Sequence, residues 1–218
     1  MVPQAIRMAE NAFQKYRTRD PYEIIDARNI KIRLFEKPSS LLGFYTVLNR
    51  CQRIGINSGA SDVQQKTGII HELGHSLNDY QYACSGQRFE DYKFFSLSNA
   101  PAEANANLAG AHLFISDEFI LDQIYYAQYQ NLISYINENI SQYKSESAKM
   151  AFEEEQMQNF YESHPTIPSY DQLAAELGVI PEVVKFKFRA LQYKGYDLPN
   201  IPETRADFLK NWQRTPNF

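Results

Sequence analysis

Cysteine, histidine and long apolar runs are scarce in this chain of 218 residues. Two cysteines and four histidines are present, too few cysteines for the disulfide framework of a secreted scaffold. No apolar run reaches the roughly 18 residues that a membrane-spanning helix needs, so no membrane span is expected. The first residues lack a basic run followed by an apolar one, so we expect no signal peptide and a cytoplasmic location.

An excess of positive charge is also lacking. The chain has 22 Lys and Arg against 26 Asp and Glu, a net charge of −4, which is not typical of a nucleic-acid-binding protein. Residues 117–164 hold nine acidic and two basic side chains, which we interpret as solvated helix faces. With 44% hydrophobic and 22% charged residues, the chain has the composition of an ordinary globular protein.

The hydrophobic periodicity predicts an α+β fold. Apolar residues at spacings of three and four predict a helix over 5–16, and Asp20-Pro21 is a typical start for a second, short helix. Three strand-like runs follow, which predicts a small, mostly antiparallel three-stranded sheet over 30–35, 44–48 and 53–57. Further helices are predicted over 101–116 and 117–163, the latter as two helices or one that bends near 145–147.

The segment after the strands begins with a capping box. Ser61 has the N-cap type of side chain and Gln64 follows three residues later, so a helix should run from about 62 to 80. This helix contains the motif His71-Glu72-Leu73-Gly74-His75. Residues four apart lie only about 40° from each other around a helix, so both imidazoles can bind one Zn²⁺. Glu72 is rotated about 100° from His71 and can act as a general base on water.

Catalytic zinc usually has a third protein ligand. Asn78 and Gln81 exclude a third histidine at the metzincin spacing, which leaves as candidates His112, His164 and Glu103. Glu103 begins an alanine-rich segment that could pack closely on the H-E-x-x-H helix. His112 lies nine positions further, about 180° around the helix, so it faces away if Glu103 faces the metal. We interpret His112 as a packing or surface residue and His164 as a helix-end residue.

At this point the chain resembles the ImmA/IrrE metallo-endopeptidases. The segment 16–24 is similar to the family's Y-x-T-R-D-P-F-E-I opening, and the segments 29–32, 43–45 and 54–57 match its strand landmarks in order. The family's E-x-E-A-N-x-F-A-A-x-L-L pattern is matched at Glu103, Asn107, Ala111 and Leu113, with departures at Asn105, Ala109 and Gly110. The resemblance covers residues 5–116 and, more weakly, 167–193.

The resemblance implies a zincin-like fold and a zinc-dependent endopeptidase. One Zn²⁺ per chain would be bound by His71, His75 and Glu103, with Glu72 as the catalytic base. The implied substrate is a helix-turn-helix repressor that controls a prophage, a mobile element or a stress response. We divide the chain into a zincin-like domain (1–116), an acidic helical segment (117–165) and a helix-turn-helix-like segment (166–218).

Other candidate residues rest on weaker patterns. Tyr45 and Asn107 are candidates for an oxyanion donor or for a hydrogen bond to a metal ligand. The helix-turn-helix pattern after Ser169 carries three basic residues that are candidates for contacts with nucleic acid or a partner: Lys185, Lys187 and Arg189. The alternative function is therefore a transcription regulator or a toxin–antitoxin type of interaction protein, in which the metal is structural and these helices bind DNA or a partner.

Overall fold

The structure is a computed structural model that describes residues 2–36, 41–86, 88–91, 101–164 and 167–203. Over these residues the protein is a mixed α+β structure, which confirms the predicted fold class. The elements, in chain order, are α1 (Gln4–Tyr16), α2 (Pro21–Ala27), β1 (Lys31–Phe35), β2 (Gly43–Leu48), β3 (Cys51–Asn57), α3 (Asp62–Asn78), α4 (Tyr80–Cys84), β4 (Arg88–Asp91), α5 (Pro101–Phe114), α6 (Asp117–Gln123), α7 (Tyr126–Asn139), α8 (Glu146–Ser163), α9 (Tyr170–Leu177) and α10 (Pro181–Tyr193).

The contacts between these elements divide the chain into two compact units, with the first division after Ser116. The first unit contains the sheet, α1 to α5, and also α9 and α10. The second unit contains α6, α7 and α8. The helices of the predicted segment 166–218 therefore pack with the elements that precede residue 117.

The sheet has the strand order β1-β3-β2-β4. Strand β2 is antiparallel to both β3 and β4, whereas β1 is parallel to β3. The sheet is thus mostly antiparallel, as predicted, but β4 is a fourth strand that the sequence prediction did not include. The side chains of Tyr45, Ile54 and Ile56 are fully buried on the sheet, and α3 packs on β2 and β3.

Helix α3 begins with the predicted capping box. The Ser61 hydroxyl accepts a hydrogen bond from the Gln64 backbone N–H, and the Gln64 side chain accepts one from the Ser61 backbone N–H. These two bonds satisfy backbone donors that the first turn of a helix leaves unpaired. From Thr67 to Leu77 every residue of α3 is buried, so α3 is a central helix of the first unit.

Helices α3 and α5 approach each other at two glycines. A Cβ atom added to Gly74 would collide with the backbone carbonyl of Ala106, and one added to Gly110 would lie 2.5 Å from the carbonyl oxygen of Ile70. These pairings show that the two helices run antiparallel, because residue numbers rise on α3 where they fall on α5. Backbone approach this close requires a residue without a side chain at the contact.

The C-terminal helices have the predicted helix-turn-helix outline. Gly178 has a φ of +64° in the turn, where a glycine adopts the left-handed conformation without strain. Helix α10 packs on α5 and α9 and is buried over most of its surface. Lys187 is fully buried, with its Nζ atom 3.0 Å from Nδ1 of His112. Lys187 is therefore not on the surface, as a contact with nucleic acid or a partner would require, while Arg189 is exposed.

Residues 117–163 form three α-helices where two, or one bent helix, were predicted. Tyr125 adopts a left-handed conformation with a φ of +53° and separates α6 from α7. A 3-10 turn at Ile140–Gln142 follows α7. Ser145 then caps α8 by accepting a hydrogen bond from the backbone N–H of Ala148, close to the predicted bend. In the part of the chain that the structure describes, no helix is long and apolar enough to cross a bilayer.

We expect the substitution Gly110→Ala to destabilise the first unit. The added methyl group would press on the Ile70 carbonyl, and overpacking of this kind typically costs more than the alanine gains in helix propensity. The expected loss in the free energy of unfolding is about 2 kcal/mol, equivalent to a melting temperature lower by about 5 °C. Thermal unfolding followed by circular dichroism measures this change.

Gly59→Ala is the matched control. A Cβ at Gly59 would meet one atom within 4 Å, Oδ1 of Asn57 at 3.3 Å, and so lacks the collision with a backbone carbonyl that is found at Gly110. Equal melting temperatures for the wild-type protein and the Gly110→Ala variant would contradict the packing argument.

Candidate metal centre

The two histidines of the H-E-x-x-H motif lie side by side on α3. Both side chains are completely buried, and their ring centroids are 4.8 Å apart in an edge-to-face arrangement. They lie in the turn of α3 that surrounds Gly74, where α3 contacts α5. The close contact of the helices therefore brings the first turn of α5 near both imidazoles.

Glu103 in the first turn of α5 completes the cluster. Its carboxylate oxygens lie 3.3 Å from Nε2 of His71 and 3.4 Å from Nε2 of His75. One ligand atom from each of the three residues lies within 4.8 Å of the others. The structure thus brings together the three residues that were predicted to bind the metal.

The other two candidates for a third ligand lie elsewhere. His112, near the end of α5, is buried between Lys187 and Glu10, with Nε2 3.5 Å from a Glu10 carboxylate oxygen. His164 follows α8 in the second unit, and its Nδ1 atom lies 2.9 Å from the backbone carbonyl oxygen of Phe160. Neither histidine belongs to the cluster around Glu103.

Each metal-site histidine has an acceptor for its Nδ1 atom. Oδ1 of Asn107 lies 2.7 Å from Nδ1 of His71, and Oδ2 of Asp79 lies 2.8 Å from Nδ1 of His75. Amide and carboxylate oxygens are acceptors, so Nδ1–H of each imidazole is the donor. This arrangement fixes the tautomer that directs the Nε2 lone pair toward Glu103.

The donor set fits a divalent cation of the zinc type. Burial alone would raise the pKa of Glu103, but the neighbouring His71 and His75 outweigh burial and hold this pKa below its usual range. That lowering requires protons on the Nε2 atoms, and a divalent cation that replaces these protons would be bound by the ionised carboxylate and both Nε2 lone pairs. Two imidazoles and one carboxylate are also a ligand set found in catalytic zinc sites, which leave a further coordination position open.

Glu72, the predicted general base, is fully buried on α3 next to His71. Tyr45 is also fully buried, on β2, and its hydroxyl donates a hydrogen bond of 2.8 Å to Oε1 of Gln52. Burial raises the pKa of Tyr45, so its hydroxyl stays protonated at neutral pH. The Tyr45 hydroxyl thus donates its hydrogen bond to Gln52 on β3. Asn107, in contrast, contacts a metal-site histidine directly.

Two residues that contact His75 were not predicted from the sequence, Asp79 and Phe89. Asp79 lies four positions after His75, a spacing that places side chains on the same helix face, and this signal was available in the sequence. Phe89 on β4 stacks on the His75 imidazole, with the ring centroids 4.4 Å apart and an interplanar angle of 22°. No signal in the sequence identifies Phe89, because its position depends on the pairing of β4 with β2.

The fold and the site together are typical of zincin-like proteins. They combine a small sheet, a helix with two histidines and a carboxylate on a second helix. A family model described as Peptidase M78, the IrrE N-terminal-like domain, matches residues 25–151, which is more than half of the chain. The chain therefore belongs to this family, the ImmA/IrrE family.

One curated relative comes from a virus of bacteria. The chain is 25% identical over 122 residues to the uncharacterized immunity region protein 2 of Bacillus phage phi105. The match covers 56% of this chain and 71% of the phage protein. No solved structure gives a significant match.

We expect Asp79→Asn and Asn107→Leu to weaken zinc binding by about 10- to 100-fold each. Each substitution weakens or removes the acceptor that orients one metal-site histidine, and changes of this kind typically have effects of that size. Competition with a chromophoric chelator measures the affinity. Asp62→Asn makes the same chemical change in the exposed first turn of α3 and should leave zinc affinity as it is. Wild-type affinity in both variants would contradict the orienting role.

Proposed function

We propose that the protein is a zinc-dependent endopeptidase that hydrolyses a peptide bond in a protein substrate. The observation that carries the proposal is the meeting of Glu103 with His71 and His75, at 3.3 and 3.4 Å, in a buried turn of α3. Membership of the Peptidase M78 family supports the same class of reaction. One zinc ion per chain, bound by these three residues, is part of the proposal.

Bound zinc supplies Lewis-acid chemistry, which polarises a peptide carbonyl and lowers the pKa of water toward about 7. The protein supplies the proton transfers. Glu72 accepts a proton from the attacking water and donates it to the leaving amine. Its buried position next to His71 supports this role, because a carboxylate in a low-dielectric site interacts strongly with nearby charge.

The residues around the ligands hold them in one geometry. Asn107 and Asp79 accept the Nδ1–H of the two histidines and keep each Nε2 available as a ligand. Phe89 restricts rotation of the His75 ring by stacking on it. Asn107 is therefore assigned a positioning role, and Tyr45, which donates to Gln52, is a weaker candidate for an oxyanion donor.

The proposed substrate is a helix-turn-helix repressor that controls a prophage, a mobile element or a stress response. The resemblance to the ImmA/IrrE endopeptidases carries this part of the proposal. The relative from Bacillus phage phi105 supports a phage setting, since its name refers to an immunity region. The substrate to be tested is therefore a repressor whose gene lies next to the gene for this chain.

The alternative, in which the C-terminal helices bind DNA, has less support. Helix α10 would be the recognition helix, yet most of its side chains are buried against α5 and α9. Lys187 has its ammonium group in the interior beside His112, which leaves Lys185 and Arg189 as the basic residues that α10 offers to a phosphate. About two phosphate contacts would give only weak affinity for DNA at physiological salt. A gel-shift titration should therefore detect no specific protein–DNA complex.

We expect Glu72→Gln to keep the fold and the zinc but to lose proteolysis. Glutamine has almost the same shape as glutamate and cannot take a proton, and loss of a general base typically lowers the rate by about 100- to 10,000-fold. Incubation of the repressor with both proteins, followed by mass spectrometry, measures cleavage and identifies the bond.

Two further measurements make this experiment decisive. Zinc content and the melting temperature of the Glu72→Gln variant should equal those of the wild-type protein, which shows that only the base was removed. Cleavage by the variant at the wild-type rate would refute the proposed mechanism. Specific DNA binding with a steep salt dependence, together with no cleavage by the wild-type protein, would favour the alternative.

A further inference from the structure

Three aromatic rings follow one another from the metal centre toward solvent. The His75 imidazole stacks on Phe89 at 4.4 Å, and Phe89 packs on Tyr82 at 5.6 Å with the two planes tilted by 52°. We call His75, Phe89 and Tyr82 the aromatic row. His75 is fully buried, Phe89 is half-buried, and Tyr82 is 57% exposed.

The row lies on the buried side of the sheet. Phe89 on β4 pairs across the strands with Tyr45 on β2, and residues directly opposite each other point to the same face. Tyr45 is completely buried, so Phe89 belongs to the face that packs on the helices. Tyr82 comes from α4, which follows the metal-binding helix almost directly and contacts β2.

The charged residues of β4 point the other way. Arg88 and Glu90 alternate with Phe89 along the strand, so they lie on the opposite face. They form an ion pair of 3.2 Å with each other, and the Arg88 guanidinium lies 3.8 Å from the centre of the Phe44 ring. Asp79, the acidic residue near His75, is hydrogen-bonded to that histidine. Arg88 and Glu90 therefore point away from the row and Asp79 is hydrogen-bonded to His75, so the exposed part of the row is an aromatic surface.

We infer that Tyr82 and Phe89 form a subsite for a large apolar side chain of the substrate, next to the bond that is cleaved. The inference rests on the proposed endopeptidase function. A single exposed tyrosine is unremarkable on a protein surface, but this one contacts a ring that itself contacts a metal-site histidine. An aromatic or long aliphatic side chain placed against Tyr82 would cover its exposed ring. Only Tyr82 and Phe89 would then separate this side chain from His75 along the row.

We expect the wild-type protein to prefer bonds that are flanked by a large apolar residue, and we expect Tyr82→Ala to lose this preference. In a library of peptides derived from a proteome, the wild-type protein should cleave bonds with Phe, Tyr, Leu or Met at one flanking position. Tyr82→Ala should lower kcat/KM for those bonds by about 10-fold and change kcat/KM for bonds with a small residue there by less than about 3-fold. Tyr82→Phe should behave as wild-type, since the ring and not the hydroxyl forms the surface.

Tyr193→Ala is the matched control, because Tyr193 on α10 is 48% exposed and belongs to the same unit. Zinc affinity of Tyr82→Ala should equal that of the wild-type protein, since Tyr82 is neither one of the three ligand residues nor one of the two acceptors that orient the histidines. Binding gives a readout that is independent of turnover. In the Glu72→Gln background, fluorescence anisotropy of a labelled peptide with Phe at the preferred position should show a Kd about 10-fold higher with Tyr82→Ala than without it.

The outcomes separate the two ideas. Cleavage that depends on Glu72 but shows no apolar preference, or a preference that Tyr82→Ala leaves intact, overturns the subsite and keeps the endopeptidase. No cleavage of peptides or of the repressor by the zinc-loaded wild-type protein overturns the endopeptidase and the subsite with it. A selective loss of large apolar positions in Tyr82→Ala, with Tyr193→Ala unchanged, supports the subsite.

Discussion

The metal centre depends on the distance between the backbones of α3 and α5. Glu103 follows His75 by 28 residues in the chain, and only the packing of the two helices brings its carboxylate within 3.4 Å of both Nε2 atoms. Gly74 and Gly110 permit that distance, since a methyl group at either position would meet a backbone carbonyl of the other helix. Gly74 lies inside the H-E-x-x-H motif, so the motif both supplies ligands and allows the partner helix to approach.

Burial of this centre is favourable only if its polar atoms have partners. His71, Glu72 and His75 are fully buried, and buried polar groups without partners are costly. Asn107 on α5 and Asp79 at the end of α3 satisfy the Nδ1 side of the two imidazoles. The Nε2 side faces an ionised carboxylate, and a cation there would join three acceptors in one interaction. The same hydrogen bonds therefore serve both the stability of the buried turn and its readiness to bind a metal.

The sequence was most informative where the interactions are local. The capping box at Ser61, the spacing of His71 and His75, and the alanine-rich start at Glu103 depend on neighbours within a few residues, and α3 and α5 follow from them. Strand β4 has four residues and exists through its pairing with β2, so neither β4 nor Phe89 could be predicted. Tyr125 in the left-handed conformation is not signalled by its residue type. Lys187 was expected on the surface because lysine is rarely buried, and its neighbour His112 is 75 residues away.

The burial of α10 has a consequence for the geometry of the site. An amphipathic surface helix contacts the rest of its protein through one apolar face. Helix α5 differs, because every residue from Ala106 to Leu113 is buried and the helix packs on α1, α3 and α10. A helix enclosed on several sides cannot rotate about its axis without disturbing each contact. His112 meets Lys187 of α10 on one side of α5, while Asn107 meets His71 of α3 on another. The helix that carries Glu103 is therefore held by α3 on one side and by the C-terminal helix α10 on another.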